Sequence, residues 1–406
     1  MSDTAQPRFL DPTSPPHIVT LTALAGLSAM TMNLYLPSLP GMTAYFGADY
    51  RVMQLSVSLF LAGNAVLQMA VGPISDRYGR RPVLLWSLGI FLLATLGCIF
   101  APTAEIFLGF RMLQAFVAAG MVLSRAVVRD MVPADKAASM IAYVTMGMSL
   151  VPMLAPTLGG FLDAAFGWHA SFWLLFGLGG AVTWLIWRDL GETATPHDGG
   201  FAAQIREYPA LLASPRFWGY AAAAMFASGA FFAYLGGAPF VGSEIYHLDP
   251  AHLGLLFGAA ALGYLFGNWI SGRYSVRFGI DRLILWGTII SSAGLAASLL
   301  LHLLGLAHPV VFFGFMVPLG FGNGLVMPNA VAGTLSVRPR LAGSASGLGG
   351  ALMIGGGAAL SAFAGTLLSV ESGAAPLIVL MFGSSMLSIV AILLVMRRNA
   401  RLGGAR

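Results

Sequence analysis

The chain has 406 residues, of which 57% are hydrophobic and only 9% charged, with a formal net charge of +5. A water-soluble chain needs roughly 25% charged residues to clothe its surface, so a soluble globule is excluded. A single cysteine, Cys98, and scattered histidines exclude a disulfide framework and a thiolate metal cluster, and they imply no cofactor.

Residues 1–16 (MSDTAQPRFLDPTSPP) are polar and proline-rich, and read as a disordered cytoplasmic lead and not as a signal peptide. Lipid cannot hydrogen-bond an open backbone, so each crossing needs about 20 mostly apolar residues in a helix. Such stretches fall at 17–39, 52–74, 82–101, 105–127, 137–163 and 169–188. A second set falls at 217–241, 251–272, 281–304, 308–334, 341–369 and 374–396. The chain therefore reads as an all-α integral membrane protein of twelve transmembrane helices. A six-helix bundle at 17–188 and another at 217–396 are joined by a polar linker, 189–216, and followed by a tail, 397–406.

The arginines orient it. Arg77, Arg80, Arg81, Arg129, Arg188, Arg206, Arg216, Arg273, Arg277, Arg282, Arg338 and Arg340 fall in loops on one side, with the tail arginines. The other side has Arg51 alone among several acids. Both termini are thus expected in the cytoplasm, and the positive excess is a topology signal, not a nucleic-acid footprint. The halves also repeat: ISDRY (74–78) is echoed by ISGRY (270–274), and RYGRRPVLLW (77–86) by RFGIDRLILW (277–286). Pseudo-symmetric halves place a substrate site between them near the midplane and favour alternating access over a fixed pore.

Four constellations carry chemistry. At the outer end of span one, NLYLPSLP holds Asn33, Tyr35 and Pro37; Asn33 can bind a substrate or a guanidinium but cannot titrate, and Pro37 ends or kinks the helix. A helix cap near the surface is the plainer alternative for this segment. After span two, GPISDRYGRRP holds Gly72, Asp76, Arg77, Gly79, Arg80 and Arg81. Asp76 is placed to pair with an arginine or a helix N-terminus, either as a conformational latch or as ordinary loop chemistry. Within span four, FLGFRMLQAF holds Arg111 and Gln114. A charge inside a span costs at least about 2.5 kcal/mol, so Arg111 either faces a wet cavity shared by the halves or snorkels to the headgroups.

Span five, MGMSLVPMLAPTLGG, holds Pro152, Pro156, Gly159 and Gly160. Prolines four apart break the hydrogen-bond ladder, and glycines permit close approach, as a hinge or an interface seal requires. Further pocket candidates are Tyr143 and Met146 on span five, Phe226, Phe231 and Tyr234 on span seven, and the stripe Phe60, Asn64, Gln68 on span two. Taken singly, packing is the plainer reading of each.

Together these segments, spread over about 17–396, resemble the major facilitator superfamily, in particular its twelve-span drug:H+ antiporters. GPISDRYGRRP is similar to that family's loop signature, FRMLQAF to its span-four signature and VPMLAPTLGG to its span-five antiporter signature. LYLPSLP resembles the Bcr/CflA group, whose members export chloramphenicol, bicyclomycin and related compounds. The resemblance implies a monomeric carrier in a bacterial inner membrane that exports small amphiphilic drugs in exchange for protons. Two positions depart from it: Ala155 stands where many members carry glycine ahead of Pro156, and Asn33 stands where the group usually carries an aspartate facing the span-four arginine. Glu105, Asp163 or Asp76 is then left as the proton carrier, or the chain works without strict coupling, as a facilitator or importer would.

Overall fold

The computed structural model describes residues 9–11, 16–131, 151–193, 208–338 and 341–403. Among these residues every regular element is helical. Span one runs Ile18–Phe46, span two Tyr50–Tyr78, span three Arg80–Ile99 and span four Ala104–Val128. The described part of span five is Val151–Phe166. Spans six to nine are His169–Asp189, Pro215–Ile245, Pro250–Phe278 and Ile280–Leu303. Span ten is Pro309–Val337, span eleven Ala342–Leu367 and span twelve Ala375–Gly403. Among the described residues eleven helices are long and apolar enough to cross a membrane, and with the shorter described part of span five they make twelve spans in two bundles. Span twelve continues through residues expected as a tail, because nothing in MRRNARLG stops a helix before its glycine.

Local chemistry sets the ends. Asp49 and Asp249 cap spans two and eight, accepting from the N–H groups of Arg51 (2.8 Å) and Ala251 (3.0 Å) respectively. Gly79 and Gly279 close the same spans at φ +94° and +83°, and their N–H groups reach Ser75 O at 3.0 Å and Ser275 O at 2.9 Å. All of these positions repeat at an offset of 200. The structural repeat thus follows the RYGRRPVLLW match, not the ISDRY match. A side chain at such φ is strained, which is why both short turns carry glycine.

Span one breaks after Asn33. A single 3-10 turn, Leu36–Ser38, follows, and the helix resumes over Leu39–Phe46, past the expected end at 39. Pro37 lies within that turn. The segment before span one is not uniformly loose either. Asp189, at the end of span six and fully buried, accepts from Leu10 N (2.6 Å), His17 N (2.9 Å) and Thr20 Oγ1 (2.6 Å). This part of the lead, expected to be disordered, is tied down because a buried carboxylate must find donors.

The bundles meet along span two against span eleven and along span five against span eight. At the arginine-poor end the contact is backbone to backbone. A Cβ on Gly160 would lie 2.2 Å from Pro250 O, and one on Gly254 2.5 Å from Pro156 O. Thr157 Oγ1 donates to Gly254 O at 3.1 Å, and Tyr50 Oη to Gly236 O at 2.9 Å.

Candidate functional site

Arg111 is the largest fully buried side chain among the described residues. Its Nη1 donates to Gln114 Oε1 at 2.6 Å and its Nη2 to Thr31 O of span one at 2.8 Å. Gln114 Nε2 passes the chain to Thr95 Oγ1 of span three at 2.8 Å, and Thr95 donates to Phe91 O at 2.7 Å. The rings of Tyr35 and Phe60 each lie 4.3 Å from the guanidinium carbon. A desolvated cation–π contact is worth about 2 kcal/mol or more, and stacking suits the flat, weakly hydrated guanidinium. Spans one, two, three and four are thereby bonded through one cation.

Two expectations are corrected here. Arg111 is fully buried and does not reach the headgroups: its partners among the described residues all belong to the first bundle. Nor does Phe60 line a cavity with Asn64 and Gln68, since it covers the arginine. The physical reason is that two hydrogen bonds and two aromatic faces together offset part of the cost of desolvating the guanidinium, so it is held between spans one, two and four.

Asn33 lies two residues beyond the Thr31 carbonyl that Arg111 grips. It is buried, its Nδ2 turns back to Ala29 O at 2.7 Å, and its Oδ1 has no partner among the described residues. Arg111 Nε likewise has none. Among the described residues no carboxylate pairs with Arg111. Tyr35 Oη bonds Ser56 Oγ at 3.0 Å. The layer thus holds a full positive charge, an unused donor and an unused acceptor.

A second cluster sits at the arginine-rich end. Arg80 is nearly buried, pairing with Asp76 Oδ1 at 2.6 Å and with Asp130 Oδ2 of span four at 3.0 Å. Its guanidinium also donates to Ser75 Oγ and, at 3.5 Å, to Gly72 O. The Glu192 carboxylate, from the segment after span six, caps span three: it accepts from Arg80 N at 2.8 Å and Arg81 N at 3.2 Å. A carboxylate there meets both the orphan N–H groups and the positive end of the helix dipole. Arg81 Nη2 donates to Trp187 O at 2.8 Å, while Arg77 lies over the Tyr78 ring at 5.4 Å. Among the described residues these partners, too, stay within the first bundle.

The other candidates separate. Gly159 and Gly160, adjacent in sequence, serve different neighbours: a Cβ on Gly159 would fall 1.6 Å from Leu34 O at the break in span one, whereas Gly160 meets span eight. Pro152 and Pro156 lie in the described helix of span five. Gln68 Nε2 donates to Asn64 Oδ1 at 3.1 Å, and its Oε1 would lie 2.6 Å from a Cβ on Gly350 of span eleven. Tyr234 is buried in the second bundle, its hydroxyl on Phe257 O at 2.9 Å and its ring stacked on that of Phe257 at 4.8 Å. Phe231 is half-buried beside it at 6.3 Å, and the carbonyl of half-buried Phe226 accepts from Ser384 Oγ at 2.6 Å. Tyr143 and Met146 lie outside the described residues. Asp189, Glu192 and Thr95 escaped the sequence reading; the one signal available for the acids was their position beside span ends.

Twelve helices in two repeated bundles, meeting across one membrane end, define a secondary carrier. Residues 21–362 match the Major Facilitator Superfamily, and the chain belongs to it. The chain is 30% identical over 380 residues to the uncharacterized MFS-type transporter YdgK of Bacillus subtilis (strain 168), covering 91% of this chain and 93% of that one. It is 29% identical over 344 residues to a chloramphenicol resistance protein of Pseudomonas aeruginosa, covering 83% and 81%. Its fold matches, with TM-score 0.70 at 16% identity and 94% and 96% coverage, a bacterial homolog of the human lysosomal transporter Spinster in an inward-facing and occupied conformation.

Proposed function

We infer that the chain is an efflux carrier of the Bcr/CflA kind, moving small amphiphilic compounds of amphenicol or bicyclomycin type out across a bacterial inner membrane. It works by alternating access with both termini in the cytoplasm, and protons are the counter-ion. The observation that carries the reading is the Arg111 layer, a buried cation in contact with spans one and two and linked through Gln114 to span three, with one donor and one acceptor unused beside it among the described residues. A buried unpaired charge costs several kcal/mol, and such expense inside a span marks a working site. The likeness to a chloramphenicol resistance protein supports the substrate class. In this cycle Tyr35, Asn33 and Gln114 bind or relay at the layer, the Asp76–Arg80 cluster holds the first bundle as one body, and span five adjusts where it meets span eight.

A second reading, a facilitator or importer of a small metabolite without proton coupling, is favoured by one observation: Asn33 cannot exchange a proton. Counterflow of labelled chloramphenicol in proteoliposomes, with bicyclomycin and sugars as competitors, tests both. Exchange that accelerates under an inwardly directed proton gradient is the expected result. Exchange of a sugar alone, equal with and without the gradient, would replace the first reading by the second.

A further inference from the structure

The second bundle carries an open groove of about 830 Å³ at its arginine-rich end, between the start of span seven and the end of span twelve. Trp218, Ala222, Leu394 and Val395 form its apolar wall, and Arg397, Arg398 and Arg401 its other end. The order along span twelve matters. Ala391, Leu394, Arg398 and Arg401 follow one face of the helix, so the wall turns from hydrocarbon to triple cation within about 10 Å of axis. Gly219 closes the floor, since a Cβ there would lie 2.1 Å from Val395 Cγ2. The exposed Trp218 ring is fixed at the rim by its Nε1 bond to Leu212 O, at 2.8 Å. An indole in that place marks headgroup level.

Among the described residues no acid lines the groove and none of the three arginines is in an ion pair. Asp281, on span nine, is engaged instead by Tyr220 Oη at 2.7 Å and Asn399 Nδ2 at 2.9 Å. We propose that this groove binds one anionic phospholipid, its acyl chains along Trp218, Ala222, Leu394 and Val395 and its phosphate among Arg397, Arg398 and Arg401. Charge selects the occupant: among the described lining residues a zwitterionic headgroup's ammonium finds no carboxylate, whereas an anionic headgroup meets three cations. The volume is that of a ligand site, roughly 300–1,000 Å³.

Native mass spectrometry of the full chain in neutral detergent, titrated with phosphatidylglycerol or phosphatidylcholine, tests this. One phosphatidylglycerol is expected per chain, at concentrations where phosphatidylcholine does not bind. The triple variant R397Q/R398Q/R401Q should weaken that binding on the order of 100-fold. A213W, which fills the exposed rim with all three arginines intact, should weaken it as well. Equal binding of both lipids, retention of phosphatidylglycerol by the triple variant, displacement by inorganic phosphate alone, or occupation of the face by a second copy of the chain would each overturn the proposal. The readout is lipid mass, so it stands or falls apart from the transported substrate.

Discussion

Replacing Gly160 by alanine would put a methyl group 2.2 Å from the Pro250 carbonyl oxygen and 3.2 Å from Gly254 Cα. A carbon–oxygen contact relaxes at about 3.3–3.6 Å, so span five and span eight must part by about 1 Å. The opposing atoms are backbone and cannot rotate away. Overpacking of this kind costs about 1–3 kcal/mol. Nearly all of that cost falls on the conformation in which the halves touch at the arginine-poor end, because Gly160 meets the other half there. The population of that conformation should therefore fall by about 5- to 150-fold relative to one in which they separate. Spin labels at Tyr45 and Leu255, both exposed near this end, read the change in a Cys98→Ser background. A second, longer distance should emerge in Gly160→Ala. Gly159→Ala is the control: its clash, 1.6 Å from Leu34 O, lies inside the first bundle, so it should lower the melting temperature and leave the distance alone. If Gly160→Ala kept the single short distance, or if both variants behaved alike, the assignment of the two glycines to different seams would be wrong.

Gln114→Leu removes the acceptor of Arg111 Nη1 and the donor to Thr95, so a loss of about 1.5–3 kcal/mol is expected in thermal or denaturant unfolding; an unchanged stability would mean the relay holds nothing. Asn33→Asp gives the buried cation layer a titratable neighbour, and transport measured against pH should become more pH-dependent; an unaltered profile would count against coupling at this position. Arg80→Gln strands the carboxylates of Asp76 and Asp130, and because both are partly exposed the expected loss is about 1–2 kcal/mol, read as a lower melting temperature. Asp249 is held below the ordinary carboxylate range first by the N–H of His252, then by that residue's side chain. A depressed carboxyl stabilises above its unfolded value near 3.9 and stops doing so as pH falls through its folded one. Asp249→Ala should therefore flatten the acid limb of the stability profile below about pH 4, and an acid limb of the same slope in the variant would refute it.

Much of the architecture was legible because membrane crossing is a local property. Twenty apolar residues bounded by arginine, glycine or proline announce a helix wherever they stand, and Gly79 with Gly279 announces the same turn twice. Arg111 and Gln114 were legible too, since a charge in hydrocarbon is conspicuous in one dimension. What no local signal carried was the partner of each polar group. Asp189 reaches back to His17 and Thr20, and Glu192 to the start of span three, across more than a hundred residues of chain.

The amino-acid order by itself determined the helices, their repeat and the position of the buried cation. Each follows from hydropathy and φ preferences within one or two turns. Only the tertiary structure decided that Arg111 is enclosed by Tyr35 and Phe60, and that Gly159 and Gly160 serve separate seams. Which faces of two helices touch depends on packing among all of their neighbours, and neighbouring residues on a helix point about 100° apart.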